Sequence, residues 1–70
     1  MMRKEVQSSK IASIGYDNNS HALEIEFHTG SIYLYADIPQ DIYTQLMESH
    51  SHGRFNAKYI KDNYFFRKMR

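Results

Sequence analysis

The 70-residue sequence contains no cysteine, so it has neither a disulfide framework nor a cysteine-based zinc site. It has no apolar run long enough for a membrane helix and no signal-peptide pattern, so a cytoplasmic protein with no membrane partner is the expectation. Internal repeats, low-complexity tracts and linkers are also missing. One small domain over residues 6–67 follows, with 1–5 and 68–70 as flexible termini. A catalytic signature is lacking too: no nucleophile stands with a base and an orienting acid at a readable spacing, so no enzyme is expected. His50 and His52 could grip a metal with His21 or His28. No cysteine or carboxylate joins them at ligand spacing, and they read as solvated loop residues. No cofactor and no metal are expected.

What is present is aromatic and patterned. Ten residues are Tyr or Phe, large rings that fill a small core efficiently. A chain this size buries only about 60% of its unfolded surface, so packing or self-association must supply its stability. Net charge is +1, unevenly spread. Met1 to Gly53 holds three Lys/Arg against seven Asp/Glu, and Arg54 to Arg70 holds six Lys/Arg against the single acid Asp62. The pattern suggests an acidic sheet and a basic C-terminal helix.

The organising stretch is Leu23 to Tyr35. Leu23, Ile25 and Phe27 alternate with Glu24, Glu26 and His28, the period of a half-buried strand. Ile32, Tyr33, Leu34 and Tyr35 alternate after the turn at Thr29-Gly30. Two registers are open. A two-residue loop pairs Ile25 with Leu34 and places both tyrosines beside the glutamates, but in its commonest form it needs positive φ at Thr29. A three-residue loop, His28-Thr29-Gly30, pairs Ile25 with Tyr33 and Leu23 with Tyr35 and needs positive φ only at Gly30. The glycine favours the second. Glu24, Glu26, Ile32 and Leu34 then lie on an open face, and two exposed aliphatics hint at dimerisation.

A first strand is expected in Ser8 to Tyr16, with Gly15 marking a bulge or a close backbone approach. Asp17 to Ser20 makes the following turn. Pro39 at the first helical position and Asp41 in the first turn open a helix whose apolar stripe is Ile42, Tyr43, Leu46 and Met47. Ser49 to Gly53 ends it, with Gly53 in a conformation barred to other residues. A second helix runs from Arg54 to Asn63. Asn56 bonds to local backbone there. Phe65-Phe66 closes over the core edge or packs on a partner. The expected fold is α+β: a three-stranded antiparallel meander followed by two short helices on one face, β-β-β-α-α.

Ser8-Ser9-x-Ile11, Ile14-Gly15-Tyr16-Asp17 and Leu23-x-Ile25-x-Phe27-x-x-Gly30-x-x-Tyr33-x-Tyr35 together resemble the KTSC domain family. Ile38-Pro39-x-x-Ile42-Tyr43-x-x-Leu46 and Ser51-x-Gly53-x-Phe55-Asn56-x-x-x-Ile60-x-x-x-Tyr64 continue the likeness, which runs from Val6 to Arg67. The specific signal is the joint order of the pieces. The family's hallmark Tyr-x-Tyr is matched by Tyr33 and Tyr35; Leu34 between them departs from the polar residue expected there. Such domains occur at the C-terminus of some lysyl-tRNA synthetases and as small bacterial and phage proteins. The family's function is unknown, and RNA binding has been suggested for it.

The resemblance therefore implies a fold more than an activity, and the residues read as a small non-catalytic binding domain, with RNA, either tRNA or single-stranded, as one candidate partner. Its site would be Arg54, Lys58, Lys61 and Arg67 on phosphates, with Tyr33 and Tyr35 stacking bases. If the tyrosines face the core they cannot stack freely, and if they face out the glutamates beside them repel phosphate. The alternative is a protein-interaction or homodimerisation module, motivated by the exposed aliphatics and terminal phenylalanines.

Overall fold

The computed structural model describes all 70 residues. Its elements are β1 (Arg3–Glu5), β2 (Ile11–Asp17), β3 (Ala22–Phe27), β4 (Ile32–Tyr35), α1 (Gln40–Glu48), α2 (His52–Phe55), a π-helical stretch (Asn56–Ile60) and β5 (Phe66–Lys68). The strands form one antiparallel sheet in the order β1-β2-β3-β4-β5. The expected α+β meander is present as β2-β3-β4, but the sheet has five strands, not three. The two added edge strands come from the segments the sequence pattern leaves as loose ends. They are exposed along their whole length, so no apolar alternation marks them. Backbone pairing to β2 and β4 makes them strands.

The central hairpin takes the three-residue loop. Ile25 pairs with Tyr33 and Leu23 with Tyr35, and Gly30 has φ +97°. The single left-handed position falls on the residue with no Cβ. Leu23, Ile25, Tyr33 and Tyr35 therefore share the helix-side face. In β2 a register shift between Ile11 and Ser13 is a bulge at Ala12. It keeps both Ile11 and Ile14 on that face and fully buried. Gly15 marks a close approach instead: a Cβ there would lie 3.0 Å from the Met2 carbonyl oxygen.

Eight side chains form the fully buried core: Ile11, Ile14, Leu23, Ile25, Tyr35, Ile38, Leu46 and Ile60. Ile38 enters through the loop before α1, where Asp37 takes φ +57°, a region Asp tolerates better than most residues. The Ile38 N–H donates to the His21 carbonyl (2.9 Å), and its carbonyl accepts from the Tyr16 hydroxyl (2.6 Å). Pro39 sits one residue earlier than expected, as the N-cap of α1. Tyr16 stacks on Tyr43, centroids 4.4 Å apart. Burial first, then Asp41 and Asp17, raises the Tyr16 pKa.

Three further expectations give way. Gly53 does not end the first helix in a special conformation; it lies inside α2 without positive φ. Its lack of a Cβ makes room for Lys10, whose Cβ would be 3.3 Å away. The second helix begins at His52 and widens after Phe55, the Lys61 N–H reaching back five residues to the Asn56 carbonyl (2.8 Å). Ile32 on the far face is 8% exposed rather than open, because the chain end runs alongside it and pairs with its N–H and carbonyl.

The far face is not bare. Arg3 Nη1 lies 2.6 Å from Glu24 Oε1 and Arg3 Nη2 3.9 Å from Glu26 Oε1, with Arg70 Nη2 3.6 Å from Glu26 Oε2. Ser13 Oγ joins them, accepting from Arg3 Nε and donating to Glu26. Both ends of the chain are thus tied to the middle strand.

Candidate functional site

Of the six residues the sequence nominates, Arg54 and Lys58 stand together. Both line a concavity of about 270 Å³ beside α2, with Phe55, Tyr59 and His50 on its walls. Local helix geometry assembles it. Asn56 and Ile60 turn into the core, and Phe55 and Tyr59, one position earlier each, lie along the helix shoulder. Their rings are 4.7 Å apart, and Tyr59 is 45% exposed. Lys58 Nζ lies 5.3 Å from the Tyr59 ring centroid, within cation–π range.

The tyrosine pair is placed differently. Tyr35 is 1% exposed and belongs to the core. Burial raises its pKa, and the Asn56 side chain beside it acts in the opposite sense. Asn56 is itself buried, not bonded to local backbone, and its Oδ1 has no hydrogen-bond partner. Tyr33 is half-buried, stacked on Phe66 at 5.3 Å and edge-on to Phe27 at 5.6 Å. Phe66 thus closes the core edge, while Phe65 is 80% exposed. The Tyr35 ring is closed off, whereas Tyr33, with Phe66 against it, keeps part of its surface on a concavity beside Phe27. Lys61 is exposed beyond the concavity. Arg67 pairs opposite Leu34 and so lies on the other face of the sheet from both tyrosines.

Phe55 and Tyr59 were not among the nominated residues, because two rings four apart on a helix fit an inward stripe as well as a surface. Lys10 and His28 were not among them either. Lys10 lines a second concavity of about 300 Å³ with Ser9, Ser51, Gly53 and Arg54. It lines a third, of about 420 Å³, with His28, Phe27 and Tyr33. Nothing near Lys10 in the sequence connects it with α2; Gly53 was the available signal, visible only once the contact is known. His28 donates from Nε2 to the Ser8 carbonyl (2.8 Å), and its own N–H reaches the Lys10 carbonyl (2.9 Å). The hairpin loop is thereby tied to the start of β2.

His52 is not a solvated loop residue. Its Nδ1 donates to the Leu46 carbonyl (2.8 Å), which also accepts from Ser49 Oγ (2.7 Å). The Ser49–His52 pair closes the end of α1. No group of three or more His, Cys, Asp or Glu side chains is arranged to hold a metal, and no helix is long and apolar enough to cross a membrane.

Comparison with known proteins places this geometry in context. A family model of the KTSC domain matches residues 7–64. A protein of uncharacterised function from Stutzerimonas stutzeri is 38% identical over 65 residues, covering 91% of this chain and 92% of that protein. A lysine–tRNA ligase from Nostoc punctiforme is 30% identical over 63 residues, which cover 90% of this chain but 11% of the ligase. The crystal structure of a KTSC domain protein from Yersinia pestis superimposes with a TM-score of 0.95 at 38% identity, covering 99% of this chain and 97% of that one.

Proposed function

The chain belongs to the KTSC domain family, and from that premise we propose that it is a non-catalytic binding module whose ligand is RNA. The observation that carries the reading is the concavity beside α2. Arg54 and Lys58 flank an exposed aromatic pair there, and no carboxylate lines it. Cations beside an accessible ring suit phosphate contact with base stacking. Tyr59 takes the leading stacking role, which buried Tyr35 cannot fill. A relative named as a lysine–tRNA ligase carries a stretch similar to this chain, which adds tRNA to the ligands worth offering.

The test is an NMR titration of labelled protein with single-stranded RNA and with tRNA, at low and moderate salt. Amide shifts should centre on His50–Lys61. Binding should weaken steeply with salt, as counterion release requires. Absence of shifts at low salt, or binding untouched by Arg54→Ala with Lys58→Ala, overturns the reading.

One observation favours a second reading, self-association. Phe65 stands 80% exposed beside an apolar concavity of about 320 Å³ that includes Leu34 and Ala22. Light scattering decides it. A dimer abolished by Phe65→Ser supports it, and a monomer at high concentration removes it.

A further inference from the structure

The three basic concavities are not separate. The first and second share Ser51 and Arg54, and the second and third share Ser9 and Lys10. Together they make one track from the shoulder of α2, across the start of β2, to the tip of the central hairpin. No Asp or Glu lines any part of it. Lys58, Arg54 and Lys10 follow one another along it, and none of them is ion-paired. A ring pair stands at each end: Phe55 with Tyr59, and Phe27 with Tyr33. Gly53 favours the middle: a Cβ there would lie 3.3 Å from the Lys10 Cβ, so the Lys10 stem would have to give by a few tenths of an ångström.

Resting on the RNA reading above, we propose that the ligand is a single-stranded RNA segment occupying the whole track, with Lys10 as its central phosphate contact and the Phe27–Tyr33 edge as its second base platform. The physical reason is the alternation of ring, cation and ring. Bases in a duplex are stacked on each other and cannot reach platforms at both ends, whereas a single strand offers unpaired faces and a flexible backbone. Charge complementarity acts over the full length, because the carboxylates of the sheet, Glu24 and Glu26, are held on the opposite face by Arg3 and Arg70.

Fluorescence anisotropy with a labelled oligouridine of about eight nucleotides, against an RNA hairpin stem of similar size, tests this. The full chain is compared with its Lys10→Ala and Lys58→Ala variants across a salt series. Lys10 and Lys58 are exposed, so both variants should fold, and circular dichroism checks that they do. Each should weaken oligouridine binding several-fold and reduce the salt slope by about 1. The stem should bind more weakly than the oligouridine. An independent readout is the amide shifts of His28–Ser31 on titration. If Lys58→Ala weakens binding while Lys10→Ala does not and His28–Ser31 stay silent, the ligand stops at α2: the track falls and the RNA reading stands. Preference for the stem also removes the single-strand proposal alone. No binding of either RNA at low salt removes both.

Discussion

The two sides of the sheet use the same kinds of charge in opposite ways. On the far face Arg3 and Arg70 are paired with Glu24 and Glu26, with Ser13 bridging. On the track Lys10, Arg54 and Lys58 have no acidic partner. Far-face pairs are partly exposed and are worth at most about 1 kcal/mol each, yet they tie both chain ends to the central strand. The track's cations form no salt bridge, and their charges remain available. The division does not follow the sequence halves. Arg70, from the basic end, is paired with the acidic strand, and Lys10, from the acidic half, joins the basic track. Charge counted along the chain predicts an acidic sheet against a basic helix; folding sorts it into paired and unpaired.

The largest expected effect comes from the layer between the two sides. Ile60 is fully buried and anchors the π-helical stretch. Ile60→Ala should cost about 2–5 kcal/mol in urea denaturation and degrade both surfaces together. A cost below about 1 kcal/mol would mean that the shoulder of the helix does not depend on the core.

Gly15→Ala should act on the far face alone. Its Cβ would meet the Met2 carbonyl oxygen and the Arg3 stem, both at 3.0 Å, so β1 must shift or detach. We expect a loss of about 1–3 kcal/mol and faster hydrogen exchange across Arg3–Glu5, with RNA affinity unchanged. Protected β1 amides in the variant would show that the close approach is tolerated.

Gly30→Ala probes the hairpin that serves both sides, since β3 carries Glu24 and Glu26 on one face and Phe27 closes the track on the other. Nothing lies within 4 Å of the added Cβ, so the cost is backbone strain alone, about 1 kcal/mol at this positive φ. If the register slipped instead, faces would exchange, and the Phe27–Tyr33 ring contact would disappear from NOE spectra.

Arg3→Ala should cost less than about 1 kcal/mol, and the difference from wild type should shrink at about 1 M salt. RNA affinity should stay the same. Lys58→Ala should show the reverse, stability within about 0.5 kcal/mol of wild type with weakened binding. If both variants lost binding equally, the contrast between the two faces would be wrong.

The smallest effect is a pH dependence at the β2–β3 turn. The Asn19 N–H donates to Asp17 Oδ1 (2.9 Å), and with the Ser20 hydroxyl it lowers the Asp17 pKa. A depressed carboxylate contributes stability above its unfolded value, and that contribution is lost as pH falls through the folded value. Asp17→Asn should therefore flatten the acid limb of a thermal-stability profile. The profile near neutral pH should change less, and an unchanged acid limb would show that the turn bonds do not stabilise the fold.

Several of these features could be read from residues alone. The hairpin register followed from one glycine and one β-branched neighbour, because only one loop length puts all the positive φ on Gly30. The stripe of α1 and the β2-β3-β4 order were also readable. Arg54 and Lys58 could be nominated because the basic residues cluster on the second helix, and they line one concavity. The same hairpin register turned Tyr33 and Tyr35 toward the core, yet their rings stayed candidates for stacking because a tyrosine's hydroxyl permits either face. Lys10 was missed because its partner, Gly53, is distant in sequence.

By itself the sequence determined the local alternatives: where the chain alternates, where it turns, which residues can lie in a helix and which one can take a left-handed turn. These depend on neighbours a few residues apart, where sterics and periodicity act. Tertiary structure alone decided the rest. The edge strands exist because β2 and β4 offer unpaired backbone groups, the Ala12 bulge keeps Ile11 inward, and the π-helical stretch sets Tyr59 on the shoulder. The track joins residues from the start of β2, the hairpin and α2. Its lack of carboxylates reflects long-range packing that no short window of sequence contains.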